Sequence, residues 1–281
     1  MIGLGPIAIG FTIMLGLMFL GFPVAVSMFA IASLGAALFT GLPSVLSFGN
    51  LMWGTLENFI LVAIPLYILL GEILLRSGAT ERMYTALSYW LYKLPGGLLH
   101  TNIAASATFA AMSGSSVATA ATIGTVALPA FRARGYNDRL VLGSIAGGAT
   151  LGILIPPSIN LIIYGALTET SIGQLFLAGF IPGLVLAVLF MLVIVVISLL
   201  WPAITGDIPD LPPLLDRVAA LVHLIPPLAI FGLVMGGILF GWATPTESAA
   251  LGVLFTLVVA AVYGKLSIRM LHEAFLSTVR S

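Results

Sequence analysis

Residues 147–158 read GGATLGILIPPS, and this stretch decides how the apolar segment around it folds. A proline lacks the backbone N–H, and its ring clashes with the carbonyl four residues earlier, so Pro156-Pro157 cannot lie inside a continuous helix. We therefore predict a broken helix over 140–167. The carbonyls of about Gly152–Ile155 then lose their helical partners, and Ser158 caps the second half. Such carbonyls are costly in hydrocarbon and need a protein group, water or a cation.

The composition indicates that this segment lies in a membrane. Of the 281 residues, 60% are hydrophobic and 7% are charged, whereas a soluble domain carries about 25% charged residues. The mean hydropathy is +1.19, and the apolar runs are long rather than alternating, which favours helices over a membrane β-barrel. The absence of cysteine excludes disulfide scaffolds and thiolate chemistry, and there is no basic patch for nucleic acid. We predict an all-α polytopic membrane protein.

Charge placement predicts a second interruption. The loops 76–97 and 131–139 are rich in Lys and Arg, so both belong on the cytoplasmic side. The apolar segment 98–130 between them would make roughly 50 Å of helix at ~1.5 Å per residue, against a ~30 Å hydrocarbon core. A re-entrant helical hairpin over 98–130, with a Ser-Gly-Ser-Ser tip at 113–116, resolves both conflicts. Its tip must line a cavity, because non-helical backbone is not tolerated against lipid.

The same rules place the other spans. The lack of an early basic residue favours a retained first helix over a signal peptide. Counting the spans backward from the basic loops places the N-terminus outside. The loop 201–217 falls on the cytoplasmic side, although it carries three Asp and one Arg, which opposes this orientation. The remaining predicted spans are 4–20, 23–40, 56–75, 175–200, 219–240 and 245–263.

The two interruptions together indicate an ion site. A hydroxyl-rich tip and a carbonyl-rich break near the bilayer midplane form the construction that secondary transporters use for coupling ions. Neutral oxygens suit Na⁺, and the lack of a local carboxylate disfavours Ca²⁺ and Mg²⁺. Half-helix N-termini at the site would favour an anionic substrate. Two alternatives remain open: the serines as an ordinary helix-packing patch, and the proline pair as a plain kink.

Other polar features have simpler interpretations. Thr244-Pro245-Thr246-Glu247 reads as a helix start with a capping box, for which a structural role is the favoured interpretation. Glu72, near the end of a span, fits snorkelling as well as function. The chain has no phosphate-binding loop and no catalytic base placed near Ser113, so we predict no enzymatic activity. Residues 79–94 are typical of an interfacial amphipathic helix.

At these motifs the sequence resembles the large membrane subunit (the DctM-like, or M, subunit) of tripartite ATP-independent periplasmic (TRAP) transporters. The resemblance covers nearly the whole chain. The pieces that carry it are AIPL at 63–66, Gly71-Glu72, MSGSSVATA at 112–120, Gly135-Tyr136, GILIPPS at 152–158, LFLAG at 175–179, Ile181-Pro182-Gly183 and TPTESAA at 244–250.

The resemblance implies Na⁺-driven uptake of organic anions, usually carboxylates, by an elevator mechanism in the bacterial inner membrane. It implies two partners, a small DctQ-like membrane subunit and a periplasmic DctP-like substrate-binding protein. The positions matching the family's Na⁺ ligands are Ser113, Ser116, Gly152, Ile155 and Pro157. Candidate substrate contacts beside these ligands and at the later helix start are Ser115, Pro156, Ser158, Thr244, Pro245 and Thr246.

The resemblance also implies an organisation in repeats. Residues 1–97 would form scaffold helices with an interfacial arm, 98–200 the first transport repeat, and 201–281 the start of a second, inverted repeat. Members of the family are substantially longer, so we expect a truncated product or fragment, or a remainder supplied elsewhere. Two functions stay open: a Na⁺-coupled permease subunit, and a non-transporting scaffold with a residual ion site.

Overall fold

The structure is a computed structural model that describes residues 4–202 and 212–281. All regular structure in these residues is helical, which confirms the predicted all-α class. Residues 203–211 of the predicted loop 201–217 lie outside the described part. In chain order the helices are α1 (Leu4–Phe19), α2 (Val24–Phe39), α3 (Leu42–Leu46), α4 (Phe48–Leu56), α5 (Ala63–Arg76), α6 (Ala79–Leu91), α7 (Leu98–Ser113), α8 (Ser116–Arg132), α9 (Asp138–Leu154), α10 (Ile159–Thr168), α11 (Ile172–Leu200), α12 (Leu214–Ala220), α13 (Ile225–Leu239), α14 (Pro245–Val262) and α15 (Ile268–Arg280).

The chain divides into two compact units, Met1–Asn58 and Phe59–Ser281. In the first unit, α1 and α2 pack against each other and are separated where predicted, by Gly21 with a φ of 89° and by Pro23. Each has 16 residues, which makes about 24 Å of helix against a ~30 Å hydrocarbon core. Over the described residues, the predicted spans 4–20 and 23–40 are therefore apolar helices shorter than a full span.

Among its described residues, the second unit has five helical segments that are long and apolar enough to cross a bilayer. They correspond to the predicted spans 56–75, 140–167, 175–200, 219–240 and 245–263. Three of them are not single α-helices: the first begins with a 3-10 turn at Phe59–Val62, the second is interrupted between Leu154 and Ile159, and the fourth contains a 3-10 turn at Leu221–Leu224. The segments are Phe59–Arg76, Asp138–Thr168, Ile172–Leu200, Leu214–Leu239 and Pro245–Val262. The predicted repeat boundaries at 97 and 200 fall inside this unit and stay a prediction.

Helix α7 occupies the centre of the second unit. It packs against α5, α9 and α11, and most of its side chains are buried, including polar ones. Its small residues permit this, because close helix approach in membranes depends on Gly, Ala, Ser and Thr. The amphipathic helix α6 covers its start, but Tyr84 and Tyr92 of the predicted interfacial segment are buried rather than facing lipid.

Candidate functional site

The hairpin tip is a two-residue turn between α7 and α8. Helix α7 ends at Ser113, and Gly114 follows with a φ of 64°, the left-handed conformation that favours glycine. Ser115 is the N-cap of α8, and its hydroxyl accepts a hydrogen bond from the Ala118 amide at 3.3 Å. Thr119 donates to the Ser115 carbonyl at 2.7 Å. The segment 98–130 is therefore interrupted at the predicted residues, while its re-entrant course through a membrane stays a prediction.

The helix break frees backbone carbonyls from the helical hydrogen-bond ladder. The residues four and five places after Gly152 are both prolines, so the Gly152 carbonyl has no helical N–H to bind. The helical partner of the Ile155 carbonyl would be the Ile159 amide, which instead donates to Gly114 at 3.0 Å. Ser158 is the N-cap of α10 by position, but its hydroxyl makes no capping bond. It donates to the Ile153 carbonyl at 2.7 Å, so the predicted Ser158 cap is wrong and one carbonyl of the break already has a partner.

The tip and the break are in direct contact. Besides the hydrogen bond from Ile159 to Gly114, a Cβ at Gly114 would lie 2.7 Å from the Pro157 carbonyl oxygen. A Cβ at Gly152 would lie 3.0 Å from the Ser116 amide nitrogen. Two glycines without side chains thus allow the backbones to touch. The structure brings together all five residues predicted as Na⁺ ligands, since Ser113 directly precedes Gly114 and Ile155 lies between Gly152 and Pro157.

Two further elements enclose this contact, and sequence reasoning assigned them no role. A Cβ at Gly71 of α5 would lie 2.8 Å from the Ser113 Cβ. On α11, a Cβ at Gly179 would lie 2.6 Å from the Leu154 carbonyl oxygen, and one at Gly183 would lie 2.8 Å from Ile155 Cγ1. The i, i+4 spacing of the two α11 glycines is a signal for close helix packing, although it does not identify the neighbour.

The site is buried and contains no charged side chain. Ser113 and Ser158 are both 0% exposed, and Ser115 and Ser116 are half-buried. The segments 113–116 and 152–158 contain no Asp, Glu, Lys, Arg or His. Glu72, the acid next to Gly71, pairs with Arg76 on its own helix. Electrostatics here therefore come from hydroxyls, carbonyls and helix ends.

Four helix ends meet at the contact. The C-termini of α7 and α9 bring partial negative charge, and the N-termini of α8 and α10 bring partial positive charge. The negative charge at the two C-termini suits a cation, and the positive charge at the two N-termini suits an anion. The arrangement can therefore hold a small cation and a carboxylate side by side.

The predicted substrate contacts at 244–246 belong to the start of α14. Thr244 and Glu247 form a complete capping box. Thr246 donates to the Phe59 carbonyl at 3.1 Å, and Tyr67 donates to the Pro245 carbonyl at 3.3 Å. These bonds attach the start of α14 to α5 and to the 3-10 turn Phe59–Val62 that precedes it. Substrate contact by the three residues stays a prediction.

Thr244→Ala should destabilise the protein by about 1 kcal/mol, because it removes the oxygen that accepts from the Glu247 amide. The measurement is the thermal unfolding midpoint of the detergent-solubilised chain. Thr125→Ala is the matched control, because that hydroxyl bonds only the Ala121 carbonyl within its own helix. Equal midpoints for the two variants would contradict a stabilising capping box.

Comparison with known proteins agrees with this architecture. Residues 11–281 match the family model described as the tripartite ATP-independent periplasmic transporter, DctM component. The chain is 36% identical to the C4-dicarboxylate TRAP transporter large permease protein DctM of Pseudomonas aeruginosa over 219 residues, 77% of this chain and 50% of that relative. It is 34% identical to the sialic acid TRAP transporter large permease protein SiaM of Vibrio cholerae over 274 residues, 95% of this chain and 62% of the relative.

A third relative differs in its named substrate. The ectoine/5-hydroxyectoine TRAP transporter large permease protein UehC of Ruegeria pomeroyi is 32% identical over 272 residues, 95% of this chain and 62% of the relative. The chain thus spans between 50% and 62% of the length of these three relatives. The family match extends over nearly all of its residues, including the hairpin tip and the helix break, and the chain belongs to the DctM component family of tripartite ATP-independent periplasmic transporters.

Proposed function

We propose that this chain is a permease subunit that couples the uptake of organic anions to a Na⁺ gradient, with the Na⁺ held between the hairpin tip and the helix break. The observation that carries the proposal is the hydrogen bond from the Ile159 amide to the Gly114 carbonyl, 3.0 Å long. It joins the hydroxyl-rich tip to the segment whose carbonyls have left the helical ladder. A plain proline kink would not explain why the freed amide of one helix bonds the turn of another.

The donor set fits a monovalent alkali cation. We assign the Na⁺ to hydroxyl or backbone oxygens of Ser113 and Ser116 and to carbonyls of Gly152, Ile155 and Pro157. Among the described residues there is no cluster of three or more acidic, His or Cys side chains that would select a divalent or transition metal. A bound Na⁺ would satisfy carbonyl dipoles that are otherwise costly at membrane depth. The N-termini of α8 and α10 support a carboxylate on the substrate.

The remaining parts of the proposal follow the family. Dicarboxylate, sialic acid and ectoine appear in the names of relatives, and we infer a carboxylate-bearing substrate for this chain. Ser115, Pro156 and Ser158 lie beside the assigned Na⁺ ligands and are the proposed substrate contacts. We propose an elevator movement, a small membrane subunit and a periplasmic binding protein as partners, and the bacterial inner membrane as the location. The family is one of transporters, and no catalytic role is proposed.

Na⁺ should stabilise the detergent-solubilised chain more than K⁺ does, and Ser113→Ala should remove most of the difference. A ligand at 100 times its Kd contributes about 2.7 kcal/mol, so the effect on the thermal midpoint is measurable. The experiment compares midpoints in NaCl and KCl at equal ionic strength. Ser88→Ala is the control, because its hydroxyl bonds only Thr85 within α6. An unchanged Na⁺ response in Ser113→Ala would refute the assignment of Ser113.

A further inference from the structure

The hydroxyl of Thr119 reaches across the hairpin tip, and the proposed function gives it no role. Thr119 is 0% exposed, and its Oγ1 lies 3.4 Å from the Oγ of Ser113, the last residue of α7. The same oxygen donates to the Ser115 carbonyl at 2.7 Å. One buried side chain on α8 therefore bonds the turn that precedes its own helix and also contacts the end of the other helix of the hairpin.

The direction of the bond between the two hydroxyls follows from the number of protons. A threonine or serine hydroxyl has one proton to donate and two lone pairs that accept. The shorter bond, to Ser115, uses the Thr119 proton, so Thr119 Oγ1 can only accept from Ser113. Within the described residues, Thr119 is the one hydrogen-bond partner of the Ser113 hydroxyl. The Ser113 proton thus points at Thr119, and both lone pairs of Ser113 Oγ stay available.

The surroundings of Ser113 explain why the direction of its proton matters. Ser113 is 0% exposed, and a Cβ at Gly71 would lie 2.8 Å from the Ser113 Cβ, so the backbone of α5 closes one side. A buried hydroxyl without an acceptor is costly. In the absence of Thr119, the Ser113 proton would turn to an unpaired carbonyl of the helix break, which the tip contacts. Those carbonyls are the oxygens assigned to Na⁺.

We propose that Thr119 is a positioning residue, which accepts the Ser113 proton and so directs both lone pairs of Ser113 Oγ to the cation. The inference rests on the proposed function, because it requires a Na⁺ bound by Ser113. A threonine hydroxyl that bonds the carbonyl four residues back is common in helices and is by itself only structural. Thr125, also on α8, has that bond alone, to Ala121 at 2.8 Å. The contact with Ser113 distinguishes Thr119 from it.

The test measures the apparent Kd for Na⁺ from thermal midpoints of the detergent-solubilised chain, with NaCl replacing KCl at constant ionic strength. Thr119→Val keeps the shape of the side chain and removes the hydroxyl. We expect this variant to raise the Kd about fivefold, the effect of losing one hydrogen bond. Thr119→Ser keeps the hydroxyl and should hold the Kd within about twofold of the parent value. Thr125→Val, the matched control, should leave the Kd unchanged.

The outcomes separate this inference from the proposed function. An unchanged Kd in Thr119→Val would overturn the role of Thr119 and leave the proposed Na⁺ site standing. An equal rise in Thr119→Ser and Thr119→Val would also overturn it, because the shape of the side chain would then matter and not its hydroxyl. No Na⁺ response in the parent chain would refute the proposed function and this inference with it. Thr119→Ala, which removes the hydroxyl without a methyl group in its place, carries the same expectation where Thr119→Val does not fold.

Discussion

Gly114→Ala should separate the hairpin tip from the helix break and abolish the Na⁺-dependent rise in the thermal midpoint. The new Cβ would lie 2.7 Å from the Pro157 carbonyl oxygen and 3.4 Å from the Ile159 amide nitrogen, both of them backbone atoms that cannot rotate away. The left-handed φ of 64° adds about 1 kcal/mol for any residue other than glycine. With the overpacking and the lost hydrogen bond to Ile159, we expect a total loss of roughly 3 kcal/mol.

The matched control is Gly135→Ala. Gly135 has nearly the same φ, 67°, but a Cβ there would meet nothing within 4 Å. Gly135→Ala therefore introduces the backbone strain, about 1 kcal/mol, without the clash. This variant should keep the full Na⁺ response. Midpoints in NaCl and KCl separate the two effects. If Gly114→Ala retained the Na⁺ response of the parent chain, the contact between tip and break would not be needed for the cation.

Gly152→Ala and Gly143→Ala should change stability in opposite directions, although both lie in α9. A Cβ at Gly152 would lie 3.0 to 3.2 Å from the backbone of Ser115 and Ser116, so the hairpin tip has to move. We expect a loss of roughly 1–3 kcal/mol from overpacking, together with a reduced Na⁺ response. A Cβ at Gly143 would meet nothing within 4 Å. There, removal of a mid-helix glycine should stabilise by about 0.5–1 kcal/mol.

Because Gly143 and Gly152 both lie in α9, replacing either by alanine gives a similar gain in helix propensity. The difference between the two variants therefore reports the contact with the hairpin tip. Thermal midpoints of the two variants, measured in parallel in NaCl and KCl, give both the stability change and the Na⁺ response. A stabilising Gly152→Ala would show that the tip tolerates an extra methyl group at this contact. Such a result would show that the close approach of the tip to the break does not depend on Gly152.

The interruptions were predictable because their causes are local. Two consecutive prolines remove N–H groups whatever the surroundings, and the charges around 98–130 together with its length required a turn near Gly114. The family resemblance then predicted the Na⁺ ligand positions, which stay a prediction. The structure adds that the two turns touch through Gly114 and Gly152, a statement about distance that no local rule contains.

What could not be predicted depends on neighbours distant in the chain. Ser158 was expected to cap α10, yet its hydroxyl makes no capping bond and donates to the Ile153 carbonyl, which Pro157 leaves without a helical donor. Gly179 and Gly183 line the break, but their spacing fits any close helix partner. The interruption between the first two helices was predictable from Gly21 and Pro23, whereas their shortness relative to a full span follows from helix ends one residue inside the predicted bounds.

The lack of ionisable side chains at 113–116 and 152–158 has a consequence for proton competition. Hydroxyls and peptide carbonyls do not titrate between pH 5 and pH 9, roughly the range in which carboxylate and imidazole ligands exchange metal for H⁺. A cation held there meets the same electric field in acidic and in alkaline medium. On the proposed function, acidification should leave the affinity of the substrate-free site for Na⁺ unchanged and should act on uptake only through the protonation of the substrate.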